Sequence, residues 1–324
     1  MADASVHAIV LNYNGQRHNS RCLRSLLDQD YPNLRVLFVD NGSDDGSVEA
    51  VRQEFGDRVD YLLNHQNLFY AAGNNRGLAR ALDQEAEFLF IVNNDTVLEQ
   101  GCVARLARFM ADRPEAGGCQ PLLRAMDEGE TVYSAGVLVS LSGRCWDAGR
   151  GGLVDAFGQE PSEVAGITGA AMFLRASAVR EVGTFDERYV MYFEDVDYSF
   201  RLRRAGYPLY LVPGARVAHE GGATASATMP LGRIRLCETN SYRLVLDHFP
   251  DGLRGRGLLA STAFTLGSCL RNLARGNPSA AGAVLAGGRR GLRLVIEGTA
   301  DTGDESRETL RSHIRVRTWF PPGA

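Results

Sequence analysis

Four apolar runs alternate with segments of helical spacing in the first 114 residues, and this alternation restricts the fold more than any other feature of the chain. "VHAIVLNYNG" reads as a buried strand closed by Asn and Gly. "NSRCLRSLLDQDYP" sets Cys22, Leu23, Leu26 and Leu27 on one helical face and ends at Pro32. "LRVLFVDNGSDDGS" is a second strand ending at Asp40, and "SVEAVRQEFG" a helix with Ser47 as its cap and Gly56 as its stop. "VDYLLN" is a third, shorter strand, followed by "AAGNNRGLARALDQ", glycine-rich and then helical. "EFLFIVNNDT" is the fourth strand, before the helix "EQGCVARLARFMADRP" that Pro114 ends. Such alternation predicts an α/β fold, a mostly parallel central sheet with helices on both faces. Ligands of these sheets bind beyond the carboxyl ends of the strands. The clusters "NYNG", "DNGSDDGS" and "NNDT" all fall at that edge.

Beyond Pro114 the pattern loosens. "GCQPLLRA", "TVYSAGVLVS" and "SGRCWDAGRGGLVDAFG" suggest irregular strands and a long loop, and "AGITGAAMFLRASAVREVG" a strand leading into a short helix. Val196, Tyr198, Phe200 and Leu202 alternate as a strand would, but the length of the segment and Gly206 favour a helix from Glu194 to Ala205. "YPLYLVPGARVAHE" is a final strand with His219 at its exit. From Asp251 the chain turns to Arg, Ala, Leu and Gly in short amphipathic helices. Arginines there outnumber Asp251, Glu297, Asp301, Asp304, Glu305 and Glu308, so this basic tail is either a solvated cap or a surface that touches anionic lipid.

A net charge of −4 gives no global case for binding nucleic acid, and all 35 basic residues are Arg. Six cysteines without a C-x-x-C pair read as reduced thiols of a cytoplasmic protein. "MADASVHAIVLNYNG" lacks the features of a signal peptide, and Gly257–Leu270 is too short and polar to span a bilayer.

Several residues could carry chemistry, each with a plainer alternative. Asp40 is a turn former or an acceptor for a base or ribose hydrogen. Asp44 and Asp45 suit the turn and the start of the next helix. Ala71–Gly77 is neither a P-loop nor a G-x-G-x-x-G turn, but small residues ahead of a helix let a diphosphate approach backbone N–H groups. Arg76 meets a phosphate or pairs with a surface acid. Asp95 caps a turn or offers oxygen to a hard cation, and one carboxylate suffices for Mg²⁺ if a diphosphate adds ligands. Glu194, Asp195 and Asp197 complement a helix dipole or include a general base whose pKa its neighbours raise. His219 is a structural histidine or a further metal ligand.

The ordered set "IVLNYNG", "LFVDNGSDDGS", "NLFYAAGNNRGLARA", "FLFIVNNDT", "ITGAAMFLRASAVREVGTFDERYVMYFEDVDYSFRLRRAGY" and "VPGARVAHEGG" resembles family 2 glycosyltransferases of the GT-A fold, nearest the bacterial rhamnosyltransferase-like enzymes of cell-surface polysaccharide assembly. The resemblance runs from His7 to Gly222 and implies inverting transfer from a nucleoside diphosphate sugar, dTDP-rhamnose or a UDP-sugar, to a hydroxyl of a glycan or lipid-linked acceptor. It implies a nucleotide-sugar-binding half at 1–114, an acceptor and catalytic half at 115–225, and a C-terminal helical extension at 226–324. Under it Asp40 binds the base, Asn12 and Asn14 line the donor pocket, Asn75 lies near the diphosphate with Arg76 beside it, and Asn93 faces the donor ribose or sugar. Asp95 holds Mg²⁺ or Mn²⁺ with His219 as auxiliary ligand, Asp195 is the general base, Glu194 orients it or the acceptor, and Thr168–Ala170 lines the acceptor side. One departure is "LFYAAGNN" in place of the family's "GFAGGNN": Phe69 and Tyr70 bring bulk that would reshape a pocket. The competing readings are a nucleotidyltransferase, against which "LNYNGQRHN" lacks the Gly-rich basic loop, and an inactive nucleotide- or carbohydrate-binding scaffold, against which both Asp95 and Asp195 are present. The expected setting is the cytoplasm, at the inner face of the plasma membrane, with the tail from Asp251 as a membrane or homodimer contact.

Overall fold

The computed structural model describes residues 4–126, 130–221, 230–298 and 305–315. Strands β1 (Val6–Asn12), β2 (Leu34–Asp40), β3 (Asp60–Leu63) and β4 (Phe88–Asn93) form a parallel block in the order β4-β1-β2-β3. The register sets Asn12 opposite Asp40 and Leu11 opposite Asn93, so the three polar strand ends share one edge. Helices α1 (Gln16–Leu27), α2 (Ser47–Phe55), α3 (Phe69–Asp83) and α4 (Cys102–Ala111) fill the intervals, with β5 (Thr96–Leu98) between β4 and α4.

The expected irregular region continues the same sheet except for Val137–Ser140 and Cys145–Asp147, which pair antiparallel in a second, three-stranded sheet with Ile314–Arg315. After β6 (Gly118–Ala125) come β7 (Val132–Ser134), β8 (Val137–Ser140), β9 (Cys145–Asp147), β10 (Ser162–Glu163) and β11 (Ala171–Arg175), and then α5 (Ala176–Val182), α6 (Glu194–Arg204) and β12 (Leu209–His219). β11 inserts antiparallel between β4 and β6, and β12 lies parallel to β6. β12 also pairs antiparallel with β5, His219 opposite Thr96, which carries the histidine to the end of β4 from more than a hundred residues away. The helix expected from Glu194 is α6, and Gly206 beyond it has φ +89°.

Two boundaries differ from expectation. α1 starts at Gln16, ahead of "NSRC", and Ser47 is the first residue of α2 rather than its cap; Gly46 holds the cap position at φ +79°, and Asp45 accepts from the backbone N–H groups of Ser47 and Gln16. The larger correction concerns Ala71–Gly77. This stretch is not a loop ahead of a helix but the interior of α3, which begins at Phe69. Its glycines admit the sheet rather than a diphosphate. A Cβ on Gly77 would lie 2.5 Å from the Ile9 Cγ2, and one on Gly73 2.7 Å from the Leu11 Cδ1.

The C-terminal helices are long, not short: α7 (Pro230–His248), α8 (Asp251–Ala274) and α9 (Pro278–Glu297). Small residues explain their close packing, since a Cβ on Gly287 or Gly291 of α9 would collide with Glu238 or Tyr242 of α7. The extension is fastened to the sheet domain by buried polar contacts. Asp197 Oδ1 accepts from His248 Nε2 (2.8 Å), and Arg144 meets Glu238 and Ser241. The boundary expected at 225/226 lies outside the described residues, as do the tail acids Asp301 and Asp304.

Candidate active site

Asp40, Asn12 and Asn14 are brought together at the sheet edge as a closed polar network. Both oxygens of the buried Asp40 carboxylate are engaged: Oδ1 accepts from Asn12 Nδ2 (2.8 Å) and Ser43 Oγ (2.6 Å), Oδ2 from the N–H groups of Gly42 and Ser43 (3.0 Å each). A carboxylate has about four acceptor positions, so a base N–H reaches Asp40 only by displacing one of these. Asn12 also donates to Ser47 and accepts from Asn94. Asn14, at φ +50°, accepts from the Asp44 N–H. The turn-building alternative accounts for all three side chains as they stand.

Asp95 lies just past β4, its side chain 11% exposed, with Oδ1 3.1 Å from Nε2 of the buried His219. Burial works to raise the Asp95 carboxyl, but the hydrogen bond and charge of His219, with His18 behind it, outweigh that and lower its pKa. The other ring nitrogen of His219, Nδ1, is buried without a partner among the described residues. Tyr133 packs edge-on against the ring, 4.3 Å between centroids. An oxygen and a nitrogen donor thus sit side by side at a strand end, a set that suits a divalent cation. The Asn93 side-chain amide is partly exposed next to them and makes no hydrogen bond among the described residues, while its backbone N–H donates to Ala170.

Glu194 and Asp195 open α6 behind a strained segment. Val190, Tyr192 and Phe193 all have φ between +63° and +71°, which disfavours such side chains and persists only where the surroundings enforce it. The enforcement comes from α7: Asn240, buried, donates through Nδ2 to the carbonyls of Tyr189 (3.0 Å), Met191 (3.2 Å) and Tyr192 (2.8 Å). Asp195 Oδ2 in turn accepts from the Gly169 N–H (2.9 Å) and Oδ1 from the Val196 N–H. Burial pushes the Asp195 carboxyl up to about 6, against those two hydrogen bonds, and the charge of Asp147 adds to the rise. Glu194 is pushed well above the usual range by burial and then by Asp195, and its Oε2 is buried and unpartnered. Replacing Asn240 with leucine is expected to free the strained segment and lower kcat roughly tenfold to a hundredfold, with a smaller change in KM for the donor. Asn240→Gln, which keeps a donor, should recover part of the loss in steady-state kinetics.

The Thr168–Ala170 turn joins these groups. Gly169 binds Asp195, Ala170 binds Asn93, and the Tyr70 hydroxyl donates to the Gly169 carbonyl (2.6 Å). The Tyr70 hydroxyl is pushed well above its ordinary pKa by burial, then by the charges of Glu194, Asp195 and Asp95. All three carboxylates thus act electrostatically on one tyrosine. Tyr70, Asp147 and Asn240 are the contributors that no sequence motif assigned a role, although the bulk of Tyr70 stood out.

Asn75 and Arg76, expected near the diphosphate, stand on α3. The Asn75 amide clamps the backbone N–H and C=O of Phe185 and donates to Glu187, and Arg76 is exposed on α3. Asp197 also points away, into a cluster with Asp186 and Asp247 whose carboxylates lie within 4.8 Å of one another. Arg201, His248 and Arg188 occupy that cluster's oxygens (2.9, 2.8 and 3.4 Å contacts), so it reads as the joint between α6 and α7 rather than a cation site.

Known proteins share the sequence pattern and the fold. A sequence profile of Glycosyl transferase family 2 matches residues 8–183. The N-acetylglucosaminyl-diphospho-decaprenol L-rhamnosyltransferase of Mycobacterium tuberculosis (strain ATCC 25618 / H37Rv) is 33% identical over 260 residues, covering 74% of this chain and 83% of its own. The pre-mycofactocin glycosyltransferase of the same strain is 30% identical over 207 residues, 63% of this chain and 41% of its own. Among solved structures, the mannosyltransferase PcManGT of Pyrobaculum calidifontis with GDP-Man and Mn²⁺ superimposes at a TM-score of 0.54 and 17% identity, over 89% of this chain and 86% of that one. GalNAc-T7 with UDP, GalNAc and Mn²⁺ gives 0.60 at 15% identity, over 80% of this chain and 51% of that one, so this chain spans about half its length. The fold is therefore of the GT-A type, and the chain belongs to glycosyl transferase family 2, as an enzyme similar to the rhamnosyltransferases of that family.

Proposed function

We propose that the protein transfers a sugar, with inversion, from a nucleoside diphosphate donor to a hydroxyl of a lipid-linked glycan, with dTDP-rhamnose the leading donor and a UDP-sugar the next. The observation that carries this reading is that Asp195, held at about 6, and the strand end bearing the separate Asp95–His219 donor set both meet the Thr168–Ala170 turn. Asp195 takes the proton of the attacking hydroxyl, since a carboxylate with a raised pKa is both ionised and basic near neutral pH. One base with no protein nucleophile in the step gives inversion. Glu194 orients the acceptor or Asp195. Thr168–Ala170 and Tyr70 shape the acceptor side, and Asn93 presents a neutral amide to the donor. Asp40 and Asn12, both buried, build with Asn14 the turn that the base approaches, and the base bonds Asp40 only by displacing one of its present partners. Asp95 and His219 would hold Mg²⁺ or Mn²⁺, which when bound offsets charge on the leaving diphosphate. The relative's lipid-linked acceptor supports the choice of acceptor class, and among the described residues no helix is long and apolar enough to cross a membrane.

A thermal-shift screen of nucleotide sugars with Mg²⁺ or Mn²⁺ tests the reading. Donor and metal together should raise Tm by several degrees, as ligand-linked stabilisation requires, and EDTA should remove most of that gain. Donor hydrolysis in the same samples separates an enzyme from a scaffold: binding without turnover would support the scaffold, and no shift with any donor would sink the proposal.

A further inference from the structure

Seven of the eleven exposed large hydrophobic residues among those described lie on α8 and α9, so they form a patch rather than the usual scatter. On α8, Leu259, Leu266, Leu270 and Leu273 are 52–73% exposed. With Ala263 their spacing of three and four residues draws one continuous stripe along the helix. On α9, Leu285, Leu292 and Ile296 continue the apolar face, and a groove of about 380 Å³ runs between the helices with Arg289 and Arg293 at its rim.

The charge on these helices is strongly lopsided. From Asp251 to Glu297 there are seven arginines against two acids, Asp251, paired with Arg254, and Glu297, one at each outer end, in a chain whose net charge is −4. A second copy of the chain is a poor occupant, because a two-fold interface would set these arginines against their own equivalents. The exposed side chains are also aliphatic, without the aromatic anchors that protein interfaces favour. An anionic lipid leaflet supplies what both features need, acyl chains for the leucines and headgroup phosphates for the guanidinium groups.

We propose that the α8–α9 face docks the protein on an anionic phospholipid surface, with the leucine stripe at acyl-chain level and the arginines among the headgroups. The inference deepens the reading of a lipid-linked acceptor and rests on it for its purpose. α7 connects the two regions: Asn240 holds the segment ahead of Asp195, and Tyr242, two residues on, lines the groove. An acceptor carried in the leaflet would therefore be presented one helix away from the base.

Vesicle flotation of the full chain tests this without any transfer assay. Wild-type protein should float with vesicles of phosphatidylglycerol and phosphatidylethanolamine at least about tenfold more than with phosphatidylcholine alone. The Leu266→Gln/Leu270→Gln and Arg289→Gln/Arg293→Gln variants should each lose about tenfold, with circular dichroism and Tm unchanged because these side chains are solvent-facing. Equal flotation of wild type and variants would overturn the proposal, as would no flotation of the wild type. A wild-type dimer that the leucine variant splits, without vesicle binding, would assign the face to a second copy and also overturn it. Flotation with no donor-induced thermal shift would leave the docking face standing and remove the transfer reading; the reverse pattern would do the opposite.

Discussion

Asp195→Asn is expected to reduce sugar transfer by about a thousandfold, the range for losing a positioned general base, while the thermal shift produced by donor and metal persists. The reason is geometric. Asp195 is held by the Gly169 and Val196 N–H groups and lies on a segment fixed by Asn240, so the asparagine keeps one of those two hydrogen bonds and the same segment, without the ability to take a proton. Near-normal turnover in the variant would remove Asp195 from the role of base. A lost thermal shift would mean instead that the carboxylate serves the donor pocket.

The pH profile carries the same prediction in a second form. With the carboxyl raised to about 6, the ionised form that accepts a proton is lost as pH falls through that value. kcat/KM should therefore rise with pH up to an apparent pKa of about 6 and then level. Glu194 and Asp195 interact, so the limb belongs to the pair rather than to one residue. Stability has the opposite sign. A raised folded pKa means the native state binds the extra proton, so this site's contribution is greatest below the ordinary carboxylate range and declines as pH rises towards 6. Asp147 is one cause of the rise, and Asp147→Asn should move the acid limb to lower pH.

The sheet and its functional edge were legible because period and position coincide. β1, β2 and β4 are continuous apolar runs, and Asn12, Asp40 and Asn93 close them where a parallel sheet gathers its strand ends. The start of α3 was not legible. It opens on two aromatic residues, Phe69 with φ +62° and Tyr70, without a capping side chain, so the small residues behind them looked like a loop. What fixes that helix is the fit of Gly73 and Gly77 against β1, a tertiary fact that overrides local preference. Asn240 was illegible for a similar reason. An asparagine in mid-helix reads as a solvent-facing polar residue, and its three carbonyl partners lie about fifty residues earlier in the chain. His219 was visible as a strand exit, but only the antiparallel pairing of β12 with β5 carries it to Asp95.

Asp95→Ala should be the other large loss, on the order of a hundredfold or more at saturating metal, because the several kcal/mol that a bound cation contributes to charge stabilisation would go with it. The carboxylate cannot be replaced from nearby: His219 is its partner rather than a second acid, and Asn93 brings an amide. His219→Ala should be milder, about tenfold, and should appear chiefly as a higher metal concentration for half-maximal activity. Asn93→Asp should keep most of the activity, since it adds an acid beside Asp95 without removing a ligand; the like charge would raise both carboxyl pKa values and shift the metal titration towards higher pH. Titration of the variants with Mn²⁺, read both as turnover and as thermal shift, checks all three. Asp95→Ala protein that still gains Tm from Mn²⁺ with the donor, and still turns over, would show that the cation sits elsewhere. The removal of Asp95 also strips His219 of its partner and with it the stabilisation that the lowered carboxyl pKa supplies above the acid range. The metal-free Tm of the variant therefore has to be measured first, so that a loss of turnover is attributed to the missing ligand and not to a loosened β5–β12 edge.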